Sequence, residues 1–177
     1  MGQFEVLISQ EEIADLVNGL AQEIVKNHQE QFPLYLVTVL NGARTFSDDL
    51  QKRILGIQSF EIVDYEIKLS SYGNSTESSR DVEIVKYIEE NVEGLDLIIV
   101  EDIVDTGLTL DFLKNYLLNE KGAHSVRICS LLSKPSRRET DVQIDYLGRE
   151  IPDKFIFGYG IDKGEQYRGL PDIVLQE

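Results

Sequence analysis

The spacing of apolar residues changes along the chain, and each spacing predicts one kind of element. Between Ser9 and Val25 apolar side chains recur every three or four residues, which is typical of an amphipathic helix. Ser9 with Glu12 three residues later is the pattern of a capping box, so the helix is expected to begin there and to leave His28 at the surface near its end. The same spacing predicts two further helices, one through Phe46, Leu50 and Ile54 and one through Leu110, Leu113 and Leu117.

Short apolar runs rich in β-branched residues predict the strands between these helices. The runs 34–40 and 95–100 lack polar alternation, so both are expected to be buried on their two faces. Weaker patterns predict further strands at 59–69, 82–85 and 125–132, a short edge segment at 142–147 and a buried strand that begins at Lys154. Because strands and helices alternate, the predicted fold class is α/β, with a twisted parallel sheet as its core and flanking helices.

Composition narrows the partners of such a fold. The chain has 177 residues, which is typical of one domain, and a formal net charge of −15 with 17 Lys and Arg. That charge repels nucleic acid and anionic membranes, so neither is an expected partner. It also repels a polyanionic substrate, so a site for one must supply local cations. No apolar run approaches the ~20 residues of a membrane span, and the first residues do not resemble a signal peptide. Cys129, the one cysteine, is interpreted as a core residue, and a cytoplasmic location is expected.

The stretch 95–110 carries the densest candidate chemistry. The carboxylates Glu101 and Asp102 stand where a buried strand ends, and the turn Asp105-Thr106-Gly107 leads into a helix. Unpaired N–H groups and the positive end of the helix dipole at such a turn favour a phosphate, and the hydroxyls of Thr106 and Thr109 add donors. Carboxylates beside the cradle accept hydrogen bonds from a diol and bind Mg²⁺, which points to a sugar phosphate. The simpler alternative is a β–turn–α unit in which Asp105 caps the helix.

A second strand leads into a glycine turn and a helix at Leu40-Asn41-Gly42-Ala43, which makes this turn a second candidate anion site, although many α/β turns carry glycine.

The polar stretch 70–80 has almost no apolar side chains to bury. It is interpreted either as a surface loop or as a lid that excludes water.

The segment Val100–Thr109 resembles the phosphoribosyl-pyrophosphate (PRPP) signature of type I phosphoribosyltransferases, and its Glu-Asp-Ile-Val-Asp-Thr-Gly form is most similar to the hypoxanthine-guanine branch of that family. Further motifs of the family follow in the same order from about Leu34 to Pro171. The resemblance implies a type I phosphoribosyltransferase fold in which residues 1–177 form one domain, with a small hood subdomain built from the N- and C-terminal segments.

The resemblance also implies roles for the phosphate-binding residues. PRPP ribose and 5′-phosphate would be held by Glu101, Asp102, Asp105, Thr106, Gly107, Leu108 and Thr109. Pyrophosphate would be held by Asn41, Gly42 and Arg168, in a loop where the family has a cis peptide and usually a Lys or Arg in place of Asn41. Mg²⁺ would be held by Glu101, Asp102 and Asp162.

Recognition of the purine rests on both chemistry and resemblance. Phe155 offers a stacking face and Lys154 a donor, which together suit a flat oxo-heterocycle. The segment Ile151–Tyr159 is similar to the base-recognition strand of the family, which implies purine contacts for Lys154, Phe155 and Ile156, and also for Lys134. The resemblance places Asp105 near N7 of the purine, where we expect it to act as general acid or base. It places Ser71 and Tyr72 at the start of a mobile lid.

The expected activity is purine salvage: transfer of phosphoribosyl from Mg²⁺-PRPP to hypoxanthine, and to guanine, giving IMP or GMP and pyrophosphate. Two alternatives stay open. One is a phosphoribosyltransferase that prefers xanthine or guanine, and the other is a non-catalytic regulator of the same fold that binds PRPP or a nucleotide. An RNA-binding regulator would need a basic face, which the charge of −15 opposes. The family implies a homodimer or homotetramer.

Overall fold

The computed structural model describes residues 4–31, 33–59, 61–72, 81–164 and 166–176. Strands and helices alternate through most of the chain, as the apolar spacing predicts. In chain order the elements are β1 (Glu5–Ile8), α1 (Gln10–Asn27), β2 (Leu34–Leu40), α2 (Arg44–Ile57), β3 (Ile62–Tyr72), β4 (Asp81–Lys86), β5 (Asp96–Val104), α3 (Leu108–Asn115) with a π-helical turn (Tyr116–Glu120), β6 (Ser125–Ser133), a 3₁₀ turn (Pro135–Arg137), β7 (Tyr146–Glu150), β8 (Ile156–Phe157) and β9 (Ile173–Leu175).

The strands form two sheets. The larger has six strands in the order β4-β3-β2-β5-β6-β7, and every neighbouring pair is parallel except β3 with β4. The smaller is antiparallel and has the order β1-β9-β8, so the two ends of the described chain meet in it. The predicted α/β class with a parallel core is therefore confirmed. Parallel pairing brings the carboxyl ends of β2, β5 and β6 to one edge, where open α/β sheets bind their ligands.

Both faces of the large sheet are covered by apolar side chains. Leu36 and Ile98 belong to one hydrophobic cluster, which includes the buried residues of α1 and α2. Their chain neighbours Val37 and Ile99 belong to a second cluster with the buried residues of α3. Because successive residues of a strand point to opposite faces, this division confirms that β2 and β5 are buried on both sides.

Helix α1 begins with the predicted capping box. The Glu12 N–H donates to the Ser9 hydroxyl at 3.3 Å, and the Ser9 N–H donates to the Glu12 carboxylate at 2.9 Å. The buried side of the helix consists of Ile13, Val17, Leu20, Ala21, Ile24 and Val25. Within the part of the chain that the structure describes, no helix is long and apolar enough to cross a membrane.

Three local predictions were wrong. His28, predicted at the surface, is 3% exposed. The C-terminal end of α1 packs against Tyr146, whose hydroxyl lies 2.9 Å from Nε2 of the histidine. The edge strand near 142–147 begins later, at Tyr146. The strand expected from Lys154 is limited to Ile156–Phe157, because a turn in which the Lys154 N–H donates to the Pro152 carbonyl precedes it.

Candidate active site

Glu101 and Asp102 lie on β5 close to its carboxyl end, at the edge that parallel pairing exposes to ligands. The Glu101 side chain is buried, and the Asp102 N–H donates to its carboxylate at 3.0 Å. Burial, reinforced by the nearby Asp102 carboxylate, raises the pKa of Glu101 well above its usual range. Two adjacent acids in this setting favour a cation or a set of hydroxyl donors between them.

The turn that follows β5 forms an open helix N-terminus. Gly107 has φ 85°, a left-handed conformation that glycine adopts without strain, and α3 begins at the next residue. A β-carbon at Gly107 would also lie 3.1 Å from Cδ of Arg138 and 3.2 Å from the Thr140 carbonyl oxygen. The N-cap glycine supplies no side-chain cap, and the Leu108 N–H donates to the Thr106 hydroxyl at 3.4 Å. The N–H groups of a helix's first turn point toward the preceding loop, as an anion site requires.

A second open helix N-terminus lies beside the first. The peptide between Leu40 and Asn41 is cis, and α2 begins at Arg44 without a side-chain cap and without an acid in its first turn. Gly42 is packed against Asp102, since a β-carbon at Gly42 would lie 2.1 Å from Oδ2 of that carboxylate. The loop after β2 and the acids of β5 therefore form one continuous surface.

The chain returns to this surface at Gly160. A β-carbon on Gly160, where φ is 93°, would lie 2.7 Å from the Gly42 carbonyl oxygen. The Arg168 guanidinium donates to the Gly160 carbonyl at 2.6 Å and pairs with the Asp162 carboxylate at 2.9 Å. These contacts place Arg168 and Asp162 next to the loop that contains Asn41.

The loop after β6 packs against the turn after β5. The Lys134 N–H donates to the Val104 carbonyl at 2.9 Å, and the Lys134 side chain is buried except for 11% of its surface. Nε of Arg137 lies 3.0 Å from the Asp105 carboxylate, and a guanidinium nitrogen of Arg138 donates to the Asp105 carbonyl at 3.2 Å. Neither arginine was predicted, although two consecutive arginines just after a strand end in so acidic a chain were a usable signal.

The segment before β8 presents an aromatic ring to solvent. Phe155 is 58% exposed, whereas Ile156 next to it is 5% exposed. Asp153 joins this segment to the loop after β6, since its carboxylate lies 4.0 Å from Nζ of Lys134 and 3.8 Å from a guanidinium nitrogen of Arg137. Arg137 therefore links Asp105 to Asp153, which directly precedes Lys154, and the ring of Phe155 is exposed two residues after Asp153.

The chain is similar to known proteins over nearly its whole length. A family model described as "Phosphoribosyl transferase domain" matches residues 7–163. The chain is 46% identical to a hypoxanthine-guanine phosphoribosyltransferase from Bacillus subtilis over 169 residues, which are 96% of this chain and 91% of that protein. The chain belongs to the phosphoribosyltransferase family.

Solved structures agree with that assignment. A crystal structure of a hypoxanthine-guanine phosphoribosyltransferase from Bacillus anthracis is similar with a TM-score of 0.90 and 38% identity, and the match covers 99% of this chain and 100% of that one. A hypoxanthine phosphoribosyl transferase from Trypanosoma cruzi is similar with a TM-score of 0.91 and 31% identity, covering 100% of this chain and 94% of that one. The resemblance stated from the sequence motifs is thereby confirmed at the level of the family.

The predicted lid and the predicted metal site of this phosphoribosyltransferase are present only in part among the described residues. Ser71 and Tyr72 end β3 and pair with Val82 and Asp81 of β4, but their side chains and the predicted lid at 73–80 lie outside the described residues. The described residues contain no group of three or more His, Cys, Asp or Glu side chains that could hold a metal ion. The three predicted metal ligands therefore do not converge on one point by themselves.

Proposed function

We propose that this phosphoribosyltransferase transfers the phosphoribosyl group of PRPP to hypoxanthine, and also to guanine. The observation that carries the proposal is the placement of Asp102 between two open helix N-termini. A molecule with phosphate groups at both ends and a diol between them matches this order of sites. PRPP has that order, with the 5′-phosphate at one end, the ribose diol in the middle and pyrophosphate at the other.

The turn after β5 is proposed to hold the 5′-phosphate. The backbone N–H groups of residues 106–109 and the hydroxyls of Thr106 and Thr109 supply its donors. The carboxylates of Glu101 and Asp102 accept hydrogen bonds from the ribose hydroxyls. The pyrophosphate lies over Asn41 and Gly42, where backbone N–H groups act as donors because Asn41 carries no charge, and Arg168 adds a cation.

The purine is proposed to stack on the exposed ring of Phe155, with Lys154 donating to its 6-oxo group and Lys134 close by. Ile156 belongs to β8 of the small sheet, and its buried side chain holds the backbone of this segment in position. A ring nitrogen of the purine forms a bond to C1 of the ribose while the C1–O bond to pyrophosphate breaks. Asp105 accepts the proton that the purine loses in this step. Arg137 orients the Asp105 carboxylate through the 3.0 Å contact.

Mg²⁺ is the proposed cofactor, and the donor set fits it. Carboxylate oxygens are its preferred protein ligands, and Mg²⁺ is commonly bound by one or two carboxylates together with substrate oxygens, which agrees with acids that do not form a closed cluster. Glu101, Asp102 and Asp162 are the residues proposed to hold it. When bound, Mg²⁺ would supply positive charge to the oxygens of the departing pyrophosphate.

The remaining features of the proposal concern the whole chain. Residues 1–177 are proposed to act as one domain in which the sheet β1-β9-β8 is the hood, and Ser71 and Tyr72 to begin a lid that excludes water during transfer. We further propose a homodimer or homotetramer in the cytoplasm. The burial of Cys129 as a free thiol is in keeping with a reducing compartment.

A steady-state assay with Mg²⁺ and PRPP tests the proposal, with hypoxanthine, guanine, xanthine and adenine offered separately. We expect turnover of hypoxanthine and guanine, and none of adenine, because adenine lacks the 6-oxo group that Lys154 reads. Faster turnover of xanthine would instead support a xanthine- or guanine-preferring enzyme. Binding of PRPP without turnover of any purine would contradict the proposal and support a non-catalytic regulator.

A further inference from the structure

A group of charged side chains fastens the start of α2 to the strand β3. Arg44 is the first residue of α2, and its backbone N–H donates to the Asn41 carbonyl at 3.2 Å. One guanidinium nitrogen, Nη2, lies 2.8 Å from the Asp64 carboxylate, and the other, Nη1, lies 3.2 Å from the Glu66 carboxylate. Nη2 also lies 2.6 Å from the Asp48 carboxylate one turn along the helix.

Asp64 receives hydrogen bonds from both sides of the loop that contains Asn41. The hydroxyl of Thr38, on β2 before the loop, donates to the Asp64 carboxylate at 2.6 Å. The side-chain amide of Gln51, on α2 after the loop, donates to the same carboxylate at 2.8 Å. Thr38 is also joined to Ser47 of α2 by a hydroxyl contact of 2.7 Å. The two ends of the loop are therefore held against one carboxylate.

The position of Arg44 is not favourable for the helix itself. A cation in the first turn opposes the helix dipole, and Nε of Arg44 is buried without a hydrogen-bond partner in the described part of the chain. The three carboxylates of Asp48, Asp64 and Glu66 offset that cost only while the guanidinium stays between them. Arg44 is thus held in one place, between the start of α2 and the strand β3.

We propose that Arg44 is a positioning residue for pyrophosphate binding. This inference rests on the proposed function, in which the loop at Asn41 and Gly42 binds pyrophosphate mainly through backbone N–H groups. A loop without its own cation depends on the direction of those N–H groups, and Arg44 holds that direction by fastening the first turn of α2 to β3. Its guanidinium contacts carboxylates of the protein and not the substrate.

The test compares two ligands by calorimetry on the Arg44→Met protein. PRPP uses both open helix N-termini, whereas inosine monophosphate carries the 5′-phosphate and the purine but no pyrophosphate. We expect the Kd for Mg²⁺-PRPP to rise about tenfold, as for a misplaced positioning group, with the Kd for inosine monophosphate changed less than about twofold. The KM for PRPP should rise by a similar factor, with kcat near that of the unaltered enzyme.

Arg149→Met is the matched control, since Arg149 also pairs with a carboxylate, that of Glu12 at 3.1 Å, and is similarly exposed at 39% against 29% for Arg44. Arg149→Met should leave the Kd values for both ligands unchanged. Arg44→Lys, which keeps a charge, should recover part of the PRPP affinity, and Glu66→Gln provides the same ratio test if Arg44→Met does not fold. Equal weakening of both ligands, or unchanged PRPP affinity in Arg44→Met, would overturn the inference. If the unaltered protein itself fails to bind PRPP, the proposed function fails and this inference with it.

Discussion

Gly42, in the loop after β2, lies directly against the carboxylate of Asp102 on β5. A β-carbon at Gly42 would lie 2.1 Å from Oδ2 and 2.9 Å from Cγ of Asp102. The Asp102 carboxylate therefore lies in the space that a side chain at residue 42 would fill. This contact couples the loop proposed to bind pyrophosphate to the acids proposed to bind ribose and Mg²⁺.

Gly42→Ala is expected to lower kcat/KM for PRPP about a hundredfold, because the added methyl displaces the Asp102 carboxylate by an ångström or more. Steady-state kinetics with varied PRPP measures the effect. The matched control is Gly19→Ala in α1, where an added β-carbon meets nothing within 4 Å. That variant should keep full activity and gain about 0.5–1 kcal/mol of stability. Equal kinetics in the two variants would contradict the coupling of Gly42 to Asp102.

Removing the carboxylate of Asp105 should slow the reaction much more than it affects folding. We expect Asp105→Asn to lower kcat by about 10²–10⁴-fold, the range for loss of a general acid or base. Its partner Arg137 is 42% exposed, so water and salt screen this ion pair and it adds little to stability. Arg137→Met should therefore leave the melting temperature nearly unchanged while lowering kcat several-fold, and Arg137→Lys should recover part of that loss. Normal turnover of Asp105→Asn would refute its catalytic role.

Phe155→Ala is expected to weaken purine binding without destabilising the fold. Stacking of a base on an aromatic ring is worth about 1–3 kcal/mol, so the KM for hypoxanthine should rise by a factor between about 5 and about 150. Because the ring is 58% exposed, its removal costs little buried apolar area. Kinetics with varied hypoxanthine, together with thermal melting, separates the two effects. A large fall in melting temperature with an unchanged KM would show that Phe155 is a packing residue.

The buried His28 should make stability fall as the solution becomes acidic. Burial lowers the pKa of His28 below its usual value of 6.5, against the opposing effects of the Gln31 hydrogen bond and of Asp96. Below pH 6.5 the unfolded chain therefore binds more protons than the folded protein does, and stability decreases until the lower folded pKa is passed. The neutral ring fits its site, with Nδ1 donating to Gln31 and Nε2 accepting from the Tyr146 hydroxyl.

Thermal melting between about pH 7.5 and about pH 5.5 tests this prediction. The melting temperature of the unaltered protein should exceed that of His28→Gln by a margin that shrinks as the pH falls, at about 2–4 °C per kcal/mol. The chain has a second histidine, His124, whose side chain is 74% exposed but pairs with Asp96 at 2.7 Å. His28→Gln is therefore also compared in the His124→Gln background, where this pair is absent and the margin should still shrink. A margin that is constant with pH would mean that His28 does not titrate differently in the folded protein.

The sequence by itself determined most of the local elements and the family. The capping box at Ser9 and Glu12 and the doubly buried strands β2 and β5 depend on residues near one another in the chain, so their spacing was sufficient to predict them. The acids and the glycine turn after β5 were recognisable for the same reason. The family's motifs in order then predicted the phosphoribosyltransferase fold.

Only the tertiary structure decided which of these side chains meet. Arg137 contacts Asp105 across 32 residues, Arg44 contacts Asp64 across 20, and His28 contacts Tyr146 across 118. Such pairs depend on the order of strands in the sheet and on how the loops at its edge pack together. The spacing of apolar residues along the chain predicts neither. Periodicity at a helix end likewise could not show that His28 would be covered by β7.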